Sequence, residues 1–531
     1  MVIHDATEPE RLVMEVFPRG NLVDLTNGSR PFDDPSQGER WGQERTVRAD
    51  VIRHLLTGGV PDERGEVAAL HLTGIRIVGI LDLAHAHIKY PVYFQRCWFA
   101  EPPNLRWALL RCFQLEHSHL PGLRADNATI EGDLALVACS VTRAIELSGA
   151  RVGGSLNMRS AHITESRGLV LDARQLTVTS NVVMDEGFTA EGEVSLINAH
   201  LGGALSLSGA RLCNDGHTAL DGSRLVVDGP VFCRNGFAAE GAVVLRRARI
   251  GGFLDFDRAR LSNQAGQALF APVLAVEGGV YCRESVFEGH VSLEEGRISS
   301  SLDLSGAEFR ASITCAHLIA PRLTMPRVPI SGFVDLSHVR LGVLDAPTES
   351  SPGGIKPDGL IYETLEPLLD ADKRIRWLNI RDTSYSPQPY EQLASTYRRI
   401  GHDADARKVL LARQRHRRRA LSLGGKLWGL AQDATTGYGY RPGRAGIWLV
   451  SLLLLGTVVF GLQPPMPQKD APPFNPCFYT LDLLLPILSY GQEGAFRPNG
   501  GYQWLAFALI TAGWILATCL IAGITRVLHR S

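Results

Sequence analysis

Residues 181–229 read NVVMDEGFTAEGEVSLINAHLGGALSLSGARLCNDGHTALDGSRLVVDG, and residues 230–278 read PVFCRNGFAAEGAVVLRRARIGGFLDFDRARLSNQAGQALFAPVLAVEG. Laid one beneath the other without a gap, 21 of the 49 positions are identical. The shared positions include Val182, Gly187, Phe188, Glu191, Gly192, Leu205, Ala210, Arg211 and Leu212, and Gly202-Gly203 recurs 49 residues earlier as Gly153-Gly154. A fixed period of this length identifies a stacked architecture. No unit can bury its apolar edge alone, so neighbours share one continuous core.

Inside each 49-mer lies a shorter unit, apolar-x-apolar-x-x-Ala-x-apolar. It appears as Leu205-Ser-Leu207-Ser-Gly-Ala210-Arg-Leu212, as Leu254-Asp-Phe256-Asp-Arg-Ala259-Arg-Leu261 and as Leu302-Asp-Leu304-Ser-Gly-Ala307-Glu-Phe309. Further copies start at Leu81, Leu134, Ile145, Leu156, Val194, Val243, Val291 and Val334. Alternation at the start of the unit is strand patterning, and the alanine gives the backbone room to turn. Over about Leu70–Asp345 this pattern resembles the pentapeptide-repeat family. The resemblance implies a mainly β fold, a right-handed parallel β-helix. Each 49-mer is expected to make two coils with a protruding turn, at Asn214–His217 and at Asn263–Gly266.

The residue before the last apolar position of the unit is often basic, including Arg211, Arg249, Arg260 and Arg297, whereas the strand itself often carries an acid, as at Asp82, Glu146, Asp255, Asp303 and Asp335. Stacking is expected to set a basic column beside an acidic one. That column is either a docking face for an anionic protein partner or a surface whose charges neutralise each other.

Nine cysteines are scattered without a C-x-x-C pair, which points away from a zinc site or a dithiol redox motif. Cys233 and Cys282 lie 49 residues apart and are expected in a column of small buried residues rather than in a disulfide. Formal net charge is −1, so no nucleic-acid partner is expected from the whole chain. No catalytic residue, cofactor site or metal site is expected. The motifs for dinucleotide, haem, zinc-protease, serine-hydrolase and Walker-type phosphate chemistry are all missing.

The remaining organisation divides as 1–66, an N-terminal segment with a capping helix at Thr46–Leu56; 67–345, the β-helix; 346–383, a linker; 384–436, a helical hairpin and basic juxtamembrane helix; and 437–531, a membrane hairpin. The hairpin, Pro389–Ala412, resembles a single tetratricopeptide repeat and runs into Arg413, Arg415, Arg417, Arg418 and Arg419, a cluster suited to anionic lipid. Ala445–Leu462 and Trp504–Ile524 hold no charge and are long enough to span a bilayer. Basic residues crowd their outer flanks, and no apolar run follows Met1. A multi-pass protein of the cell membrane is expected, with both termini and the β-helix cytoplasmic.

Between the spans, Phe478–Leu488 is apolar but too short to cross, and Ser489-Tyr490-Gly491-Gln492 follows it. The order of span, short helix, loop and span resembles that of two-span cation channels. It makes Tyr479, Asp482, Pro486, Ser489, Tyr490, Gly491 and Gln492 a pore or re-entrant candidate; the other expectation is a helix that braces the hairpin. Nearly the whole chain resembles a group of uncharacterised actinobacterial membrane proteins, carried by Tyr479-Thr-Leu-Asp-Leu-Leu-Leu-Pro486, Gly437-Tyr-Gly-Tyr-Arg-Pro442 and Tyr385-Ser-Pro-Gln-Pro-Tyr-Glu-Gln-Leu-Ala394. Such proteins are often labelled membrane-associated oxidoreductases. Three functions stand at this point: a homo-oligomeric, membrane-anchored scaffold, an oligomeric channel regulated by the β-helix, and an oxidoreductase.

Overall fold

A computed structural model describes residues 6–28, 32–59, 67–347, 353–378, 386–419, 443–469, 471–485 and 489–528. The chain forms two compact units. The first is mainly β, a parallel β-solenoid of about 13 turns. The second is helical.

Each turn of the solenoid contributes four short strands, and each strand pairs in parallel with its counterpart one turn on. In one ladder Asn157 pairs with Val183, Val183 with Ser206, Ser206 with Phe232, and Phe232 with Asp255. The steps are therefore 26, 23, 26 and 23 residues, and the 49-residue repeat is one long coil plus one short coil. We number the faces by His200-Leu201 (first), Leu205-Ser206 (second), Arg211-Leu212 (third) and Leu220-Asp221 (fourth). One residue of each pair points inward. Leu201, Leu205, Leu212 and Leu220 are all buried, as are their counterparts in neighbouring coils.

The corner after the second face is a four-residue turn. The Ala210 N–H donates to the Leu207 carbonyl at 3.1 Å, and the third residue, Gly209, is left-handed at φ 69°. The same turn recurs after Phe256, where the Ala259 N–H donates to the Phe256 carbonyl at 2.9 Å and Arg258 fills the left-handed slot at φ 57°. Left-handed backbone costs roughly 1–2 kcal/mol in a residue with a Cβ. The stacked hydrogen bonds above and below hold the turn against that cost. The alanine after it is buried, which fixes its size.

The long coil carries four extra residues between the third and fourth faces, within the extended segments His162–Asp172, Arg211–Asp221 and Arg260–Phe270, and one fewer between the second and third, a net gain of three. The register against the next coil jumps from Cys213↔Glu240 to Thr218↔Ala242, so Asn214–His217 bulges outward. Asn214 Nδ2 closes the bulge on the Thr218 carbonyl at 2.6 Å, and Asn263 repeats this on Gln267 at 2.9 Å. Opposite the bulge sits Gly241, at φ 128°, where a Cβ would lie 2.6 Å from the Asn214 carbonyl oxygen and 2.8 Å from that of His217.

Several boundaries differ from the sequence expectation. The solenoid begins earlier. Leu22–Asp24 pairs with Leu70–Thr73, and Thr46–Arg48 pairs with Arg76–Val78. The expected helix at Thr46–Leu56 is therefore a strand followed by a short helix, α2, Ala49–His54. The polar N-terminal stretch supplies a further helix, α1, Glu8–Val16, opened by a Thr7/Glu10 capping box. Glu10 is fully buried and accepts from the Arg48 backbone N–H and guanidinium. Arg45 is equally enclosed, stacked 3.7 Å over Trp41, bonded to Asp33 at 2.9 Å and to the Gly74 carbonyl at 2.8 Å. These ion pairs fasten the cap to the first coil.

The other end also runs further. Gly354–Lys356 and Ile361–Glu366 pair with Phe333–Asp335 and Arg340–Asp345, so the segment expected as a linker carries another coil. Its signal is Ile355, Leu360, Tyr362 and Leu365, all buried at strand spacing behind a Pro/Gly/Ser cluster.

In the second unit, α4 (Gln388–Arg399) and α5 (Asp403–Arg419) follow a short helix, α3 (Ala371–Leu378), and pack as a hairpin through a left-handed Gly401. The C-terminal helices are α6 (Gly443–Leu462), α7 (Pro476–Leu484) and α8 (Tyr502–Leu528). Among the described residues one helix segment, Ala445–Leu462, is long and apolar enough to cross a membrane; Tyr502–Thr518 is apolar but shorter.

The Gly241 contact predicts a specific asymmetry. Gly241→Ala should destabilise the solenoid by about 2–3 kcal/mol, because strain and a carbonyl clash add. Gly236→Ala, at φ 90° with nothing within 4 Å, should cost only about 1 kcal/mol. Denaturant titration of the two variants checks the difference.

Candidate functional site

The four arginines expected to share a docking face fall on two faces. Arg249 and Arg297 belong to the first, in the ladder His200–Val226–Arg249–Ala275–Arg297–Ile319–Arg340–Ile361. Arg211 and Arg260 belong to the third, in the ladder Thr189–Arg211–Ala238–Arg260–Val286. The expected single column is thus corrected to two. Each cation alternates with an uncharged residue because the repeat spans two coils. The acids divide likewise: Glu146 and Asp335 lie on the fourth face, Asp255 and Asp303 on the second.

The third face neutralises itself in part: Arg260 is paired, whereas Arg211 forms no ion pair within 4 Å among the described residues. Glu191, Glu240 and Glu288 recur beside its arginines. Glu288 is buried and accepts from Arg260 at 2.7 Å, from Ser262 at 3.0 Å and from Arg310. Burial pushes its carboxyl pKa up, but the Ser262 hydroxyl and the two guanidinium groups outweigh that and hold it below the ordinary carboxylate value of 4.5.

The first face is different. Among the described residues Arg249, Arg297 and Arg340 form no ion pair within 4 Å. In the lower coils Asp228 and Glu277 stand two residues beyond the aliphatic positions Val226 and Ala275; beyond Ile319 that place is taken by Pro321. At the adjoining corner, Glu295 is followed in the next two coils by His317 and His338, whose rings stack at 4.9 Å. A shallow groove of about 620 Å³ opens here, lined by Arg297, Arg340, the two histidines and the half-exposed Ile319 and Ile361. A second, of about 500 Å³, adjoins it through Arg297 and is also lined by Arg249, Asp228 and Glu277. The sequence displayed every one of these side chains. What it lacked was the coil length that sorts them by face.

Of the basic cluster in α5, Arg413 turns inward and pairs with Glu391 of α4. His416 Nδ1 lies 2.9 Å from the Tyr390 hydroxyl. Arg415 and Arg417 are on the outer side of the hairpin, Arg417 fully exposed; the side chains of Arg418 and Arg419 lie outside the described residues.

The short helix α7 packs against both α6 and α8. Tyr479, Leu483 and Leu484 form a core with Phe460, Phe496 and Leu509. Gly513 brings α8 so close to α7 that a Cβ there would sit 2.2 Å from the Leu484 carbonyl oxygen. Gly513 and Ala517 of α8 face inward and Ala508 faces out. Asp482 is buried, and its carboxylate accepts from the backbone N–H groups of Tyr490 at 2.6 Å, Gln492 at 2.8 Å and Glu493 at 3.2 Å. Gln492 is buried too. Its Nε2 donates to the Pro473 carbonyl at 3.1 Å, and its Oε1 accepts from the Asn475 N–H at 3.3 Å. The structure therefore brings Tyr479, Asp482 and Gln492 together. Ser489, Tyr490 and Gly491 lie at the exposed rim, and Pro486 lies outside the described residues.

Most cysteines of the solenoid are enclosed, Cys213 being half-buried. Burial pushes the Cys97, Cys139 and Cys315 thiols up to about 12, and those of Cys233 and Cys282 higher still. Cys233 and Cys282 are free, but they do not form a column of small residues. The coil between them places Phe256 in the same position, so small and large side chains alternate along the axis. Among the described residues no group of three His, Cys, Asp or Glu is placed to hold a metal ion. No family model, curated protein or solved structure matches the chain.

Two outcomes test this geometry. Because the folded carboxyl of Glu288 is depressed, its stabilisation is present above the unfolded value of 4.5 and is lost as pH falls through the folded one. Glu288→Gln should therefore cost about 1–2 kcal/mol at pH 7, and the gap to wild type should close on acidification, as read by denaturant titration at several pH values. Asp482→Ala removes the acceptor of three amides. Hydrogen exchange at Tyr490, Gln492 and Glu493 should speed at least tenfold, while the amides of Leu452–Phe460 in α6 keep their protection.

Proposed function

We propose that this chain is a membrane-anchored scaffold. In this reading a right-handed β-helix of diverged pentapeptide-like repeats lies at the cytoplasmic surface, held there by a two-span hairpin with both termini inside. One observation carries it. Helices α6 and α8 turn large apolar side chains outward, among them Ile447, Leu454, Val458, Trp504, Phe507 and Trp514, and turn small residues such as Gly456 and Gly513 inward. A face of this composition in water is strongly disfavoured; in a bilayer it is the ordinary arrangement, with small residues at the helix contacts.

Orientation follows from charge. Lys426, Arg441 and Arg444 precede the first apolar helix, and Arg526 and Arg530 lie at the end of the chain. The connecting loop holds only Lys469 and Arg497. The exposed Arg417 and its neighbours in α5 would then meet anionic headgroups. The solenoid offers long periodic faces to a protein partner, and lateral association of the anchors would make the assembly a homo-oligomer.

The channel reading is less well supported. A filter presents backbone carbonyls to an ion, whereas the loop after α7 is gathered by its amides around the Asp482 carboxylate, which favours a brace. The oxidoreductase reading gains nothing from thiols held protonated by burial.

Topology is the decisive test. Cys477 is exposed in the first turn of α7, between the two apolar helices in sequence. A membrane-impermeant maleimide should label it in intact cells, whereas Ser531→Cys should react only after the cells are opened. Labelling of Ser531→Cys in intact cells, or of neither site after opening, would overturn the proposed anchor.

A further inference from the structure

The first face has a stripe, Arg297–Ile319–Arg340–Ile361, in which exposed cations and half-exposed aliphatics alternate coil by coil. Adjacent strands of a sheet lie about 4.8 Å apart, so like residues recur every ~9.6 Å along the axis. An α-helix laid along that axis rises about 5.4 Å per turn. Residues seven apart in it face one way at ~10.5 Å, and the residue midway between them lies on the same face. The two periods agree closely enough for flexible arginine side chains to absorb the difference. An extended strand does not match, because alternate residues roughly 6–7 Å apart fall between the arginines.

Charge selects the partner. Glu295 is the one carboxylate lining the groove, against Arg297, Arg340, His317 and His338. Elsewhere on the solenoid some arginines are answered by carboxylates in neighbouring coils, as Arg260 is by Glu288 and Arg283 by Asp257, whereas Arg211 forms no ion pair within 4 Å among the described residues. Beyond Ile319 the place that Asp228 and Glu277 hold in the lower coils is taken by Pro321, whereas beyond Ile361 it is held by the exposed Glu363.

We propose that this stripe docks an acidic amphipathic helix of a partner protein, with carboxylates seven residues apart on Arg297 and Arg340 and an aliphatic side chain between them on Ile319. This rests on the scaffold reading and gives its partner a chemistry. Recognition would be of the helix-in-groove kind, with the arginines setting polarity and register.

The test uses the full chain in its own membrane. A photo-reactive amino acid replaces Ile319, and separately Ala238 on the third face, and the attached peptides are sequenced. The expected adduct at Ile319 is a protein segment with Asp or Glu seven residues apart around an aliphatic residue. Its yield should fall more than tenfold in Arg297→Glu/Arg340→Glu and stay unchanged in Arg211→Glu. The milder Arg297→Gln/Arg340→Gln pair, with its thermal unfolding compared to wild type, separates lost docking from lost folding. Adducts at Ile319 only with lipid, nucleic acid or a second copy of the chain would overturn the proposal. So would an adduct whose yield ignores both arginine pairs. A protein adduct at Ala238 alone would sink the stripe and spare the scaffold; no adduct at either site would sink both.

Discussion

Everything in the solenoid depends on the hydrogen bonds that run from each coil to the next. Parallel strands must lie about 4.8 Å apart, so every residue sits directly over a counterpart and has to fit it. The Gly202-Gly203 pair shows how tight this is: a Cβ on Gly202 would stand 2.3 Å from the Thr179 carbonyl oxygen of the coil below. The inward columns satisfy the same constraint by alternation. Leu207, Cys233, Phe256, Cys282 and Leu304 succeed one another along one column, and the small thiols make room for the Phe256 ring between them. A second aromatic directly above Phe256 would need volume that a close-packed interior does not have.

This constraint explains which parts of the fold were legible in the sequence. The repeat announced itself because stacking forces identical solutions every two coils, and the bulge at Asn214–His217 was visible as the polar insert within each period. The outer coils were not legible for the same reason. At Leu22–Asp24 and Ile361–Glu366 a neighbour exists on one side only, so the spacing relaxes and the copies diverge. The cap relies on side chains far apart in sequence, Glu10 on Arg48 and Arg45 on Gly74, which no local pattern records. The assignment of arginines to faces failed because it needed the coil lengths of 23 and 26 residues. A unit that looks uniform along the chain serves the first and third faces in turn.

The C-terminal helices obey a different rule. There the backbone is satisfied within each helix, and fit is set by where small residues allow approach. Gly456 meets Thr480 and Gly513 meets Leu484, so the short helix α7 is gripped on both sides. Its length made it recognisable as non-spanning in the sequence. The role of Asp482 was not recognisable, because an acid in an apolar run reads equally as a pore group and as an anchor. Three amides converge on its carboxylate, and a buried acid is tolerable when its oxygens are filled by donors.

The alternation of coil types also bears on what a surface of this kind can recognise. A strictly uniform solenoid would repeat each outward residue every ~4.8 Å, which sets like charges against one another and matches no common protein element. Doubling the period spaces the arginines far enough apart to lower their mutual repulsion at physiological ionic strength. It also brings their separation near that of two helical turns. On the third face the repeat uses this spacing internally, by setting Glu240 and Glu288 beside Arg211 and Arg260. On the first face Pro321 stands in the acid's place beyond Ile319, and Glu363 holds that place beyond Ile361. Arg249 forms no ion pair among the described residues even between the coils of Asp228 and Glu277, so the loss of one acid is not what leaves the arginines of that face without a carboxylate.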